Sequence, residues 1–173
     1  PITVTINGDV ADEPNQTFRV NLSSPSSNAA IADGVGVGTI NDDDATPSLS
    51  IANATTAEGN SGTKTLTLNV TLSAKSGRTV TVNYATANIT AATTGLLVAG
   101  GSDYVATNGT LTFLPGETAK TVNVTINGDT TYEGNNAFSV TLSAPVSATL
   151  LDAVGVGTIT NDDASVITLT GGV

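Results

Sequence analysis

Apolar and polar residues alternate one by one along much of this chain. Leu66, Leu68, Val70 and Leu72 are separated by single Thr or Asn residues. The same period of two runs through Val80, Val82 and Tyr84, through Leu111 and Phe113, through Val122, Val124 and Ile126, and through Phe138, Val140 and Leu142. Leu49 and Ile51 open the series, and a strand over 154–159 closes it. Alternation of this kind puts one face of each strand in a core and the other in water. Seven strands in about 115 residues have the size and rhythm of an immunoglobulin-like fold, so the pattern predicts an all-β, antiparallel β-sandwich. The closing strand breaks phase: Val154 and Val156 share one face and Ile159 falls on the other. A β-bulge near Gly155 or Gly157 is predicted to restore the register. Val35, Val37 and Ile40 repeat the break.

That recurrence belongs to an internal repeat. Residues 2–25, "ITVTINGDVADEPNQTFRVNLSSP", lie over residues 122–145, "VNVTINGDTTYEGNNAFSVTLSAP", at a constant offset of 120. Asp9 meets Asp129, Glu13 meets Glu133 and Phe18 meets Phe138. The two "VGVGTI" strings follow at an offset of 119. The expected organisation is therefore the back half of a module at 1–44, a complete module at 45–163, and the first strand of a further module at 164–173. One connection, 87–101, has no clean alternation and contains the apolar triplet Leu96, Leu97, Val98. It is expected to tuck a hydrophobic plug onto the sandwich, the other reading being a partner-contact loop.

Charge narrows the function. The 173 residues carry 15 acidic and 5 basic side chains, a formal net charge of −10. Nucleic acid and anionic membrane surfaces, which need clustered Lys and Arg, are disfavoured as partners. No apolar run approaches the roughly 18 residues of a spanning helix, so membrane insertion is not expected. The chain has no Cys, His, Met or Trp, which removes disulfides, the common transition-metal ligands and most nucleophilic triads.

The acids are clustered. Glu58, Asp103, Asp129, Glu133, Asp162 and Asp163 sit at strand ends or loops of the complete module. In an antiparallel sandwich alternate loops fall at the same end, so these side chains are expected to converge. Residues 1–44 contribute Asp9, Asp12, Glu13, Asp42, Asp43 and Asp44. The five cations, Arg19, Lys64, Lys75, Arg78 and Lys120, fall in other strand or turn stretches, and none is expected beside the acids. Crowded carboxylates repel unless neutralised. A hard divalent cation is the natural counter-ion, and Ca²⁺ accepts six to eight oxygens in loose geometry. For any one Asp, turn formation is explanation enough; recurrence at equivalent points of the repeat points to Ca²⁺. The spacing is not that of an EF-hand, and "GVGVG" precedes no helix as a phosphate loop would.

The motifs "AEGNSGTKTLTLNVTLS", "VTVNYATA", "GSDYVATNGTLTFLPGETAKTVNVTI", "GDTTYEGNNAFSVTLS" and "VGVGTITNDD" together cover nearly all of 48–163. In them the chain resembles tandem Calx-β domains, the calcium-binding sandwiches of sodium–calcium exchangers, which also occur in integrin β4 and in large bacterial surface proteins. Residues 2–44 resemble the family's second half. The resemblance implies Ca²⁺ ligands at Glu58, Asp103, Asp129, Glu133, Asp162 and Asp163, and correspondingly at Asp9, Glu13, Asp42, Asp43 and Asp44. It also implies a site at the module end beside the linker. The chain departs from the family at Asn136 and Gln16, where a second acid is common, and in the 87–101 insertion, which is expected to threaten the placement of Asp103.

These readings converge on a structural calcium-binding module of a secreted or cell-surface repeat protein, with Ca²⁺ stiffening the joints between modules. An adhesive module is the alternative. A glycoside-acting enzyme is the weaker one, because six aromatic residues and no Trp make a poor sugar platform. No enzymatic activity is expected. The expected partners are neighbouring modules or further copies of the chain, joined by strand addition or in a filament.

Overall fold

The computed structural model describes residues 1–91 and 102–165. The Leu96–Val98 triplet and, from residue 166, the strand expected at 164–173 lie outside the described residues. The described residues form strands β1 (Gln16–Asn21), β2 (Val35–Ile40), β3 (Ser48–Ile51), β4 (Ala54–Ala57), β5 (Thr63–Leu72), β6 (Val80–Asn88), β7 (Asn108–Phe113), β8 (Ala119–Asn127), β9 (Asn136–Val146), β10 (Thr149–Asp152) and β11 (Val154–Thr160). β1 and β2 make an antiparallel hairpin of their own. The other nine strands form two packed sheets, one in the order β10-β3-β5-β8 and one in the order β4-β11-β9-β6-β7.

Nine strands stand where the alternation predicted seven, for two local reasons. The opening strand divides between the sheets. Ala52 N–H donates to the Asn69 carbonyl at 2.9 Å, while the Asn53 side chain accepts the Val156 N–H at 2.7 Å. The chain thus crosses from β3, parallel to β10, into β4, parallel to β11. The second addition, β10, is the sequence TLLD with all four residues exposed, so no alternation marks it.

The core lies between the sheets. Leu66, Leu68, Val70 and Leu72 from β5 meet Val122, Val124 and Ile126 from β8 and Phe138, Val140 and Leu142 from β9. Each fully buried side chain of this size contributes about 1.5–3 kcal/mol relative to exposure. Tyr104 stacks on Phe138 with ring centroids 4.5 Å apart and 17° between planes. Its hydroxyl donates to Asn88 Oδ1 at 2.6 Å, so the aromatic is buried without an unmet polar group.

The predicted bulge at Gly155 or Gly157 is absent. β11 pairs with β9 in unbroken register from Val154 opposite Thr141 to Ile159 opposite Asn136. Its inward face is Gly155, Gly157 and Ile159, and the valines turn away from the core. The reason is steric. A Cβ at Gly157 would run into the Phe138 ring, and one at Gly155 would lie 2.8 Å from Ile51 Cγ1 and 3.1 Å from Leu68 Cδ2. The core side chains of neighbouring strands already fill the space. In the first copy Gly38 makes the same room for Phe18. Register shifts occur elsewhere, at Leu150/Asp152 and at Thr81/Asn83.

This inverted phase is testable. Gly157→Val should lower stability by about 1–3 kcal/mol through overpacking against Phe138, whereas Val156→Ala should cost less than about 1 kcal/mol. Urea denaturation midpoints that rank the two variants in the opposite order would reject the assignment of faces.

Candidate metal centre

Four chain segments bring the acids of the complete module together. Parallel pairing of β4 with β11 ends with Glu58 N–H donating to the Thr160 carbonyl at 3.1 Å, which sets Glu58 beside the exit segment of Asp162 and Asp163. Asp162 Oδ1 then accepts the Gly59 N–H at 2.9 Å, and Asp163 Oδ1 accepts Asn60 Nδ2 at 2.6 Å. The loop after β8 lies against the same turn: Gly128 N–H donates to the Gly62 carbonyl at 3.0 Å. Gly128 is required there, because a Cβ would collide with the Gly59 carbonyl oxygen. Asp103 reaches this end in spite of the 87–101 insertion. Its carbonyl accepts the Asn127 N–H at 2.9 Å, next to the isolated antiparallel bridge between Tyr104 and Ile126.

Glu58, Asp162 and Asp163 bring carboxylate oxygens within 4.8 Å of one another. Asp129 and Glu133 repel Glu58, and Asp103 repels Glu133. Burial, followed by repulsion from Glu133, Asp129, Asp163 and Asp162, pushes the Glu58 carboxyl up to about 7. Burial and then Asp103, Asp129 and Asp163 raise Glu133 as well, against a lowering hydrogen bond from Asn136. Glu58 and Asp103 are buried. Glu58 Oε1, Glu133 Oε1 and Asp163 Oδ2 are buried oxygens without a hydrogen-bond partner. Buried carboxylates are normally paired or bind metal. Several carboxylates, three of them with unpartnered oxygens, fit a hard cation and suit Ca²⁺ by their chemistry.

Residues 1–44 repeat four hydrogen bonds of this site's scaffold. Asp9 Oδ1 accepts the Ala11 N–H as Asp129 Oδ1 accepts that of Thr131. Gln16 Nε2 donates to Glu13 Oε2 as Asn136 Nδ2 donates to Glu133 Oε2. Asp42 Oδ1 accepts the Glu13 N–H as Asn161 Oδ1 accepts that of Glu133, and Asn15 and Asn135 accept the N–H groups of Asp42 and Asn161. Asp9, Glu13, Asp42, Asp43 and Asp44 line one groove of about 440 Å³. Burial and then Asp42, Asp43, Asp9 and Asp12 raise the Asp44 carboxyl. Gln16 and Asn136, which stand where the family commonly has a second acid, and Asn15 and Asn135 beside them are scaffolding amides of the site. Their repetition at Asn15/Asn135 and Gln16/Asn136 was the available signal.

The expectation that no cation stands beside the acids is corrected. Arg78 Nε lies 3.4 Å from Asp12 Oδ2, and Arg78 Nη2 donates to the Glu13 carbonyl at 2.7 Å. Lys64 Nζ donates to the Ala57 carbonyl at 3.2 Å, next to Glu58. Arg78 comes from the turn between β5 and β6, far away in sequence, so spacing along the chain could not reveal the pair. Asp12 is thereby buried in a contact between the first 44 residues and the complete module. It forms a parallel bridge with Ser76, and its carbonyl accepts the Gly77 N–H at 3.0 Å.

The sequence profile of the Calx-beta domain matches residues 1–44 and 42–168. No curated protein matches the chain. Solved structures similar to it include the apo-form Calx CBD1 domain, at 21% identity and a TM-score of 0.51, covering 66% of this chain and 98% of that one. The calcium binding domain CBD12 of CALX1.1 matches at 22% identity and a TM-score of 0.56, covering 66% of this chain and 46% of its own. The Calx CBD2 domain matches at 17% identity and a TM-score of 0.53, covering 66% and 86%. At these identities the structures establish a shared fold.

The raised Glu58 carboxyl gives the metal-free protein a pH-dependent term in its stability. Its folded-state value of about 7 stands above the ordinary 4.5, so the folded chain holds this proton longer than the unfolded one. Its contribution to stability is complete below about pH 4.5 and is lost as pH rises to 7. In chelator, the melting temperature should therefore fall between pH 5 and 7.5, and Glu58→Gln should flatten that fall. A wild-type melting temperature that rises over this interval in chelator would contradict the crowding.

Proposed function

The chain belongs to the Calx-beta domain family, and from that premise we propose that its acidic ends bind Ca²⁺ and thereby hold successive modules at a fixed angle in a secreted or cell-surface repeat protein. The observation that carries the reading is the trio of buried, unpartnered oxygens on Glu58, Glu133 and Asp163. In the complete module Glu58, Asp103, Asp129, Glu133, Asp162 and Asp163 would hold the ion. In the first 44 residues Asp9, Glu13, Asp43 and Asp44 would do so, with Asp42 Oδ1 also accepting the Glu13 N–H. The ion supplies the positive charge that so many carboxylates at one end require.

The joint supports the mechanical part of the reading. The loop of Asp9 and Glu13 also carries Asp12, whose carbonyl accepts the Gly77 N–H and the Ser76 hydroxyl. Whatever orders this loop orders the contact with the next module. Ca²⁺ on Asp9 and Glu13 would hold the backbone between them, and Arg78 would grip that backbone from the other side.

Three outcomes are expected. Ca²⁺ at a hundredfold excess over its Kd should stabilise the chain by about 2.7 kcal/mol, seen as a higher melting temperature that chelator reverses; an identical melting temperature with and without Ca²⁺ would end the reading. Glu133→Gln should weaken Ca²⁺ binding about tenfold, or 1.4 kcal/mol, and leave the metal-free protein no less stable, because one of several repelling charges is gone. Isothermal calorimetry and chelator melts check both halves. For the joint, Arg78→Ala should leave the melting of the complete module unchanged. It should reduce the alignment between residues 1–44 and that module, as read from residual dipolar couplings in Ca²⁺; unchanged couplings would remove Arg78 from the joint.

A further inference from the structure

The turn between β5 and β6 receives the acidic loop of residues 9–13 through more than one ion pair. The Asp12 carbonyl accepts the Gly77 N–H at 3.0 Å and the Ser76 hydroxyl at 3.2 Å, and Ser76 forms a parallel bridge with Asp12. Arg78 Nε lies 3.4 Å from Asp12 Oδ2, and its Nη2 donates to the Glu13 carbonyl at 2.7 Å. The Gly116 N–H donates to the Ser76 carbonyl at 2.9 Å and braces the turn. Asp12 and Ser76 are both buried. Gly77 is the member that the turn itself does not explain. Its backbone lies outside the left-handed region that calls for glycine. Yet a Cβ there would stand 2.6 Å from Glu13 Cγ and 2.7 Å from Glu13 Oε1. The glycine is demanded by the loop seated on it.

The repeat supplies a loop that does not fit this turn. Residues 129–133 sit in the same hydrogen-bonded scaffold as residues 9–13, but Tyr132 stands where Asp12 stands. Tyr132 is 60% exposed, whereas Asp12, against the turn, is 7% exposed. We propose that Ser76, Gly77 and Arg78 form a specificity-determining socket, which seats a preceding acidic loop with aspartate at the Asp12 place and rejects one with tyrosine there. A ring cannot enter the closed space of a carboxylate without displacing Arg78 or the turn. It also offers Arg78 no carboxylate to pair with. Gly77 admits the glutamate common to both loops, so it is required for seating, and Arg78 makes the choice. A copy of the complete module set in place of residues 1–44 would therefore loosen the joint. The order of modules is encoded in part by Asp12 and Arg78, through an element that disfavours the wrong neighbour. All these contacts join protein groups, so the inference stands apart from the calcium reading.

The test reads single amides by hydrogen exchange in NMR, in chelator so that no ion contributes. In the native chain the Gly77 N–H should be protected by its bond to the Asp12 carbonyl. The Gly116 and Glu13 N–H groups report the turn and the loop separately. Asp12→Tyr should speed exchange at Gly77 by at least about tenfold and leave Gly116 and Glu13 as they were. Tyrosine is compatible with the loop itself, since Tyr132 occupies the same scaffold. Gly77→Ala should speed exchange at residue 77 in the same way, with Gly116 again unchanged. Native-like protection at residue 77 in either variant would overturn the socket. So would simultaneous loss at Glu13 in Asp12→Tyr, which would put the defect in the loop and not in its seating. A native Gly77 amide that exchanges as freely as an unfolded one would overturn it too.

Discussion

Repulsion among carboxylates at one end of a nearly uncharged sandwich is the constraint on which the rest of the structure depends. The outward faces of β5 and β8 show why the charge collects there. They present Thr65, Thr67, Asn69 and Thr71 beside Thr121, Asn123 and Thr125, with no charge among them. The net −10 of the chain is therefore carried largely by loops. Parallel pairing of β4 with β11 then forces Glu58 against Asp162 and Asp163. A fold that buries a glutamate among like charges, and drives it up to about 7, has a local instability that only protons or a cation relieve.

The structure confines that instability with amides rather than with cations. Asn60, Asn136 and Asn161 hold the carboxylates or their backbone by hydrogen bonds that leave part of the oxygen set free. The same scaffold stands in the first 44 residues. The acidic loop is thus held by its own hairpin and exit segment in both places, and Glu58 and Asp103 add further carboxylates to it in the complete module. Arg78 is engaged with Asp12, outside the six carboxylates of the complete module. It links the acidic loop of residues 9–13 to the turn between β5 and β6.

Much of this was legible from period and repeat. Alternation in 66–72 and 122–126 identified the inward faces because every apolar side chain there had a single direction to point. The offset of 120 aligned Glu13 with Glu133 and Asp9 with Asp129, and the structure places each pair in equivalent hydrogen bonds. Period failed where small residues carry the core. In β11 the valines suggest the inward face by residue type, but the glycines face inward because the Phe138 ring needs the space at Gly157, a demand set by a neighbouring strand. β10 leaves no mark in the pattern because an exposed edge strand has no buried face to impose alternation.

By itself, then, the sequence determined the class of fold, the repeat and the identity of the acidic loops, since these follow from local periodicity and from residue type. Only the tertiary structure decided which oxygens remain unpartnered, which face of β11 is inward, how the opening strand divides between two sheets, and that Arg78 reaches Asp12. Each of these depends on contacts between segments far apart along the chain, where packing volume and the direction of single hydrogen bonds choose among arrangements that local pattern leaves equal.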